Sequence, residues 1–226
     1  MSDLKPYLAA RAREVDAALR QHLPSPQKRP TSVHRAMHYS LFAGGKRLRP
    51  VLCLAAAEAC GGDTANAMPA ACAVELMHTY SLVHDDLPCM DDDDLRRGRP
   101  TCHKVFGENM AVLAGDALLT QAFEVLAKTP PTKRYPLASI IHEFAVAGGS
   151  TQLIGGQVMD LEGEGQSLSK TELARIHRAK TAALLTTSLR LGAMSANAPP
   201  KQLASLTTFG QSLGLAFQVL DDILDC

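Results

Sequence analysis

Helical periodicity, cut into segments by proline and glycine, constrains this chain more than any other feature. Leu4, Leu8, Val15 and Leu19 recur at turn-of-helix spacing, and the apolar stretches that follow lack the alternation of strands. Pro24, Pro26 and Pro30 form a linker, and the pairs Gly44-Gly45, Gly61-Gly62 and Pro130-Pro131 interrupt later segments. Helices are predicted over 4–22, from 31 or 32 to 44, over 51–60 behind Pro50, and over 66–87, 109–128, 134–148, 171–195 and 201–225. Alanine and leucine dominate, aromatics are only 4% and tryptophan is absent, which favours helix over sheet. Apolar residues make up 46%, enough for a sizeable core, and a single all-α domain is the simplest reading.

Bulk charge excludes some functions. Lys plus Arg and Asp plus Glu are 23 each, which argues against nucleic-acid binding or a surface held to membranes by net charge. No stretch of about 18 uncharged apolar residues is available to span a bilayer. Charges interrupt the N-terminus, so no signal-peptide core is expected there. The six cysteines, at 53, 60, 72, 89, 102 and 226, show no CxxC pair and no zinc-like spacing. They read as reduced thiols of a cytoplasmic protein.

Local charge carries the information. The run from His84 to Asp94 holds six aspartates, Asp85, Asp86 and Asp91 to Asp94, at the end of a long apolar helix. Such acids need cations, and carboxylate oxygens suit magnesium, which takes one or two carboxylates together with substrate phosphates. Pro88 keeps the run from being a regular helix. The spacing of an EF-hand loop is absent. A second acidic set, Asp221, Asp222 and Asp225, closes the last apolar helix, with Asp221 and Asp225 on one face. Taken singly, each set also reads as a solvated helix end. Two such sets, each behind an apolar helix, point to a metal cage of the kind built inside helical bundles.

Cations accompany the acids. Lys46, Arg47 and Arg49 follow the glycine pair at 44–45, without P-loop spacing. Arg96, Arg97 and Arg99 come directly after the first acidic run. Arginine offers phosphate a planar fork and lysine a point charge. His78 lies seven residues before Asp85 on the same helix face, where a lone histidine is more often structural than functional. Lys180, beside Thr181 in an apolar helix, either snorkels or binds an anion.

With these blocks in hand, the chain resembles the short-chain trans-isoprenyl diphosphate synthases, most closely the bacterial farnesyl diphosphate synthases. The resemblance runs through GGKRLRP at 44–50, HDDLPCMDDDDLRRGRPTCHKVFGE at 84–108, LAGDALL at 113–119, GGQVMD at 155–160, KT at 180–181 and FQVLDDILD at 217–225. It implies an isoprenoid-synthase-type helical bundle around a central cavity, usually a homodimer, with helices 109–128 and 134–148 as interface candidates. It implies more than one magnesium ion, held by Asp85, Asp86 and Asp91 and by Asp221, Asp222 and Asp225. Isopentenyl diphosphate would meet Lys46, Arg49, His78 and Arg97. The allylic partner, dimethylallyl or geranyl diphosphate, would meet Arg96, Lys180, Thr181 and Gln218, with Gln157 and Asp160 in a further motif. The implied reaction is head-to-tail condensation to farnesyl diphosphate and pyrophosphate, with no side-chain nucleophile. Relative to the family pattern, the chain is expected to be one synthase domain over 1–226 that lacks the C-terminal helices.

Product length is expected to depend on a floor upstream of Asp85. Ideal helix geometry favours Ser81, four residues back, because Tyr80 points about 140° away. The family pattern instead places an aromatic stop five residues back, which selects Tyr80 and a fifteen-carbon product. A geranylgeranyl synthase of the same family is the first alternative. An HD-type metal phosphohydrolase, suggested by His84-Asp85, lacks its further ligands. A non-catalytic synthase subunit would lose the aspartates that are intact here. A terpene cyclase would not need GGKRLRP.

Overall fold

The computed structural model describes residues 4–224, and side chains as far as residue 217. Asp225 lies outside the described residues. Gln218, Asp221 and Asp222 are described only as backbone of the last helix. The described chain is all-α apart from one minimal hairpin. In order come α1 (Leu4–His22), α2 (Thr31–Leu41), α3 (Leu48–Ala59), α4 (Thr64–Asp85), β1 (Leu95–Arg96), β2 (Arg99–Pro100), α5 (Cys102–Phe106) and α6 (Glu108–Leu126). Then follow α7 (Leu137–Gly148), α8 (Leu153–Gly163), α9 (Lys170–His177), a π-helical turn (Arg178–Ala182), α10 (Ala183–Ser195) and α11 (Pro200–Leu224).

The chain forms two compact units. The first comprises residues 1–51 and 72–128. Its core is built from Val15 and Leu19 of α1, Met37 and Leu41 of α2, Val74, Leu76 and Met77 of α4, and Ala114 and Leu118 of α6, all nearly or fully inaccessible. Each large apolar side chain so buried contributes about 1.5–3 kcal/mol relative to exposure. α2 lies along α6, and the short α5 packs on both. α3 starts at Leu48, earlier than the expected Val51, because Pro50 is tolerated in a first turn whose N–H groups have no helical partner anyway.

The second unit comprises residues 52–71 and 129–226. α10 is its central helix: Leu184 to Leu189 and Leu191 to Ser195 are all buried, the pattern of a helix surrounded on every side. α11 and α7 pack against it. Between them Arg190 makes a two-pronged pair with Glu143, at 2.6 and 2.8 Å, and donates to Thr207 Oγ1 at 2.7 Å. The helix expected over 171–195 is three pieces. α9 opens with a reciprocal capping box between Ser169 and Glu172, and the π-helical turn separates it from α10. The periodicity also missed α8, whose Gly155-Gly156 pair reads locally as a breaker, and the hairpin, which is too short to show alternation.

Candidate active site

In the first unit backbone hydrogen bonds organise the acidic run. α4 ends at Asp85, and the chain folds back on its own last turn. Met90 N–H donates to Leu87 O at 2.8 Å, Asp91 N–H to Asp85 O at 2.9 Å and Asp92 N–H to Leu87 O at 3.1 Å. The return brings Asp91 beside Asp85, and the chain then leaves it through left-handed backbone at Asp92, φ 51°. The spacer between Asp86 and Asp91 therefore has a structural job: it is the length of the turn.

The hairpin reverses at Arg97 and Gly98, with φ of 54° and 73°. Two successive positive φ values are the signature of the tight hairpin turn whose twist suits its strands. The turn sends the two adjacent arginines to different partners. Arg96 Nε donates to Asp86 Oδ1 at 2.5 Å, and its Nη2 to Asp93 Oδ2 at 3.1 Å. Arg97 Nη1 donates to the carbonyl of Gly44. Thr101 anchors the base of the hairpin by donating from its hydroxyl to Asp93 O at 2.8 Å. Burial pushes the Asp86 carboxyl up, and the hydrogen bond and charge of Arg96 pull it back.

The GGKRLRP block divides its cations. Arg47 is buried and fully engaged: Nε reaches Asp16 at 2.8 Å, Nη1 reaches Glu75 at 2.8 Å and Nη2 reaches Leu41 O at 2.6 Å. Burial alone would lower its pKa, but Glu75 and Asp16 raise it. It is a structural cation. Lys46 is exposed, and Arg49 Nη1 donates to His78 Nε2 at 3.3 Å. Burial, reinforced by Arg49, Arg97, Arg96 and Arg47, holds His78 well below the ordinary imidazole range. His78 is therefore neutral and can accept from Arg49 without cancelling its charge. A small cleft nearby is lined by Thr79, Asp86, Arg96, Arg97 and Thr101.

The donor set fits hard cations. Asp85 and Asp91 are adjacent through the backbone return. Asp92, Asp94 and His103 offer ligand atoms within 4.8 Å of one another, although Lys104 already pairs with Asp94 at 2.6 Å. All but one of these donors are carboxylates, the class that magnesium prefers. Asp86 is tied to Arg96, so a metal there would compete with that pair.

The second unit joins two motifs that are far apart in sequence. Lys180 Nζ, on the π-helical turn, pairs with Asp160 Oδ2 of α8 at 2.5 Å. Gly156 lets the backbones come together, since a Cβ there would collide with the main chain of Lys180. Gln157, on the same helix, has a buried side-chain amide with no hydrogen-bond partner among the described residues. An orphaned buried amide is what a ligand or water site leaves behind. A π-helical turn at such a place is a frequent accompaniment of function. Thr181 is half-buried on the same turn. Tyr80 and Ser81, both on α4 in the first unit, differ. Tyr80 is 6% exposed and packs edge-on against His84, with centroids 5.8 Å apart, whereas the Ser81 hydroxyl bonds back to His78 O at 2.9 Å.

Comparison with known proteins gives a consistent set of relatives. Residues 30–226 match the family model described as polyprenyl synthetase. The large subunit 1 of the heterodimeric geranylgeranyl pyrophosphate synthase of Arabidopsis thaliana chloroplasts is 50% identical over 99% of this chain and 61% of its own length. The farnesyl diphosphate synthase of Geobacillus stearothermophilus is 48% identical over 97% of this chain and 74% of its own. Among solved structures, a putative farnesyl-diphosphate synthase from Marinomonas sp. superposes with a TM-score of 0.90 at 42% identity, covering 100% of this chain and 81% of that one. A FPP/GFPP synthase from Zymomonas mobilis also gives 0.90, at 36% identity over 98% and 81%. The chain spans about three fifths of the length of the plant relatives it matches.

Proposed function

Because the chain belongs to the polyprenyl synthetase family, we propose that it condenses isopentenyl diphosphate head-to-tail with dimethylallyl or geranyl diphosphate, giving farnesyl diphosphate and pyrophosphate. The observation that carries this reading is the Arg49–His78 contact beside exposed Lys46: a guanidinium oriented by a neutral imidazole keeps its full charge for an anion. Lys46, Arg49, His78 and Arg97 receive isopentenyl diphosphate. Arg96, Lys180, Thr181 and Gln218 receive the allylic diphosphate, and Gln157 and Asp160 steady the α8 side through the Asp160–Lys180 pair.

Asp85, Asp86 and Asp91 with Asp221, Asp222 and Asp225 would hold more than one magnesium ion, which neutralises charge on the departing pyrophosphate. To serve as a ligand Asp86 would give up its contact with Arg96, which would leave Arg96 for the allylic diphosphate. Heterolysis of the allylic C–O bond leaves a carbocation. The isopentenyl double bond attacks it, and a proton is then lost, with the departing pyrophosphate as acceptor. The neutral state of His78 suits a substrate-orienting role rather than that of a proton donor.

The names of the relatives divide between farnesyl and geranylgeranyl synthases. The fifteen-carbon product is assigned on Tyr80, a buried aromatic whose ring is held by His84. Homodimerisation is proposed through α6, which exposes Val112 and Leu113. A cytoplasmic location is proposed on the free thiols of Cys53, Cys60, Cys72, Cys89 and Cys102. No helix among the described residues is long and apolar enough to cross a membrane.

Steady-state kinetics of Arg49→Ala test the assignment. Loss of a charge-assisted contact worth about 1.5–3 kcal/mol raises KM for isopentenyl diphosphate roughly ten- to a hundred-fold. A raised KM for the allylic substrate alone would reverse the division of the two sites.

A further inference from the structure

A second basic site lies in the first unit and shares no side chain with Lys46, Arg49, His78 or Arg97. The end of α1, the outer face of α2, β2 and α5 enclose an open cavity of about 350 Å³, lined by Arg20, Arg35, Arg99, His38, Phe42 and Phe106, together with Pro26 and Tyr39. Three guanidinium groups reach this wall, and no acidic residue does. In a chain whose charges balance at 23 against 23, that local excess is not a consequence of composition.

The way the arginines are held matters more than their number. The Arg20 guanidinium stacks over the Phe42 ring at 4.0 Å, and that of Arg99 over the Tyr39 ring at 4.8 Å. A ring face orients a guanidinium through its quadrupole and takes none of the N–H donors. The platforms are themselves fixed. Tyr39 donates its hydroxyl to Pro100 O at 2.7 Å and meets Phe106 edge-on at 5.4 Å, while His38 packs against Phe42 at 5.6 Å. His38 Nε2 contacts Pro24 O at 2.9 Å, which makes that nitrogen the donor and ties the ring to the α1–α2 linker. Elsewhere in the molecule, Arg47, Arg96 and Arg190 spend their donors on carboxylates. Among the described residues Arg20, Arg35 and Arg99 form no such pair.

We propose that this cavity binds the diphosphate group of a small molecule outside the catalytic region. Three guanidinium forks lining one cavity suit a polyanion better than a single carboxylate. A diphosphate carries about the charge that three arginines balance, and Pro26 and Phe106 provide apolar wall for whatever the diphosphate is attached to.

Calorimetric titration with inorganic pyrophosphate, in EDTA so that binding through metal is silent, tests the assignment. The titration is made in the Lys46→Ala/Arg49→Ala background, which removes two cations of the competing cluster and leaves Arg97, Arg96 and Lys180 the same in every variant compared. Binding persists in that background and weakens at least tenfold when Arg20→Ala and Arg35→Ala are added. Both positions are exposed on helices that accept alanine, and far-UV circular dichroism checks that the fold is kept. The Arg20→Lys/Arg35→Lys pair, which keeps charge but loses the fork, falls between the two. Absence of pyrophosphate binding in the background, or equal affinity after the two alanines are added, overturns the site. Sedimentation with phosphatidylglycerol vesicles separates the other phosphate source. Vesicle binding that requires Arg20 and Arg35, without binding of free pyrophosphate, would assign the groove to a lipid headgroup and overturn the small-molecule site.

Discussion

Arg47 and Arg49 stand two positions apart in one motif, yet only one of them faces a possible substrate. Arg47 spends its donors on Asp16, Glu75 and Leu41 O, and Glu75 is as deeply buried as its partner. Arg47→Ala leaves the Glu75 carboxylate uncompensated in the core and is expected to destabilise the fold by about 3–5 kcal/mol, read by urea unfolding. A loss below 1 kcal/mol would mean that Glu75 finds another partner. His78 gives a pH prediction. Its folded-state pKa lies well below 6.5, through burial first and then Arg49, Arg97, Arg96 and Arg47. The unfolded chain therefore binds the proton first, so the stability linked to His78 is full above pH 6.5 and falls as pH drops toward the folded value. Unfolding free energies measured from pH 7.5 to 5 should decline, and His78→Asn should flatten the decline. The cations of GGKRLRP read in the sequence as an anion-binding block, and the structure leaves Lys46 exposed. The diversion of Arg47 was not legible there, because its acids stand 31 and 28 residues away and nothing in the local pattern marks them.

At the scale of elements, α4 carries four of the proposed site residues, His78, Tyr80, Ser81 and Asp85, on one rod. Burial of Val74, Leu76, Met77 and Val83 fixes it, so His78, Tyr80 and Asp85 are held in register. Tyr80 is pinned against His84, whose ring Nε2 contacts Val112 O of α6 at 3.0 Å. Tyr80→Ala removes the proposed floor, and the product distribution should shift from fifteen to twenty carbons or more in chromatography of the dephosphorylated alcohols. An unchanged distribution would place the floor elsewhere. Helix existence was readable from periodicity here, and so was the acidic end of α4. What escaped were features set by tertiary contact. The π-helical turn at 178–182 and α8 meet through Gly156 and Lys180, a fit that local sequence does not encode. The return of Asp91 onto Asp85 is made by backbone hydrogen bonds within the run, which the spacing of the aspartates does not spell out.

At the scale of the whole molecule, each unit brings a charged motif to order by itself: the aspartate turn with its arginines in one, the Asp160–Lys180 pair in the other. The carboxylates stand ready for cations but are partly occupied by internal guanidinium partners, as at Asp86. Binding of metal and diphosphate together is therefore an exchange of ion pairs, and neither is expected to bind well alone. The most direct test is to incubate the protein with isopentenyl and dimethylallyl diphosphates, with magnesium or with EDTA, and to identify the products by mass spectrometry while measuring released pyrophosphate. The predicted result is farnesyl diphosphate with stoichiometric pyrophosphate in magnesium and none in EDTA. Failure to lengthen the allylic chain in magnesium, or equal turnover in EDTA, would contradict it.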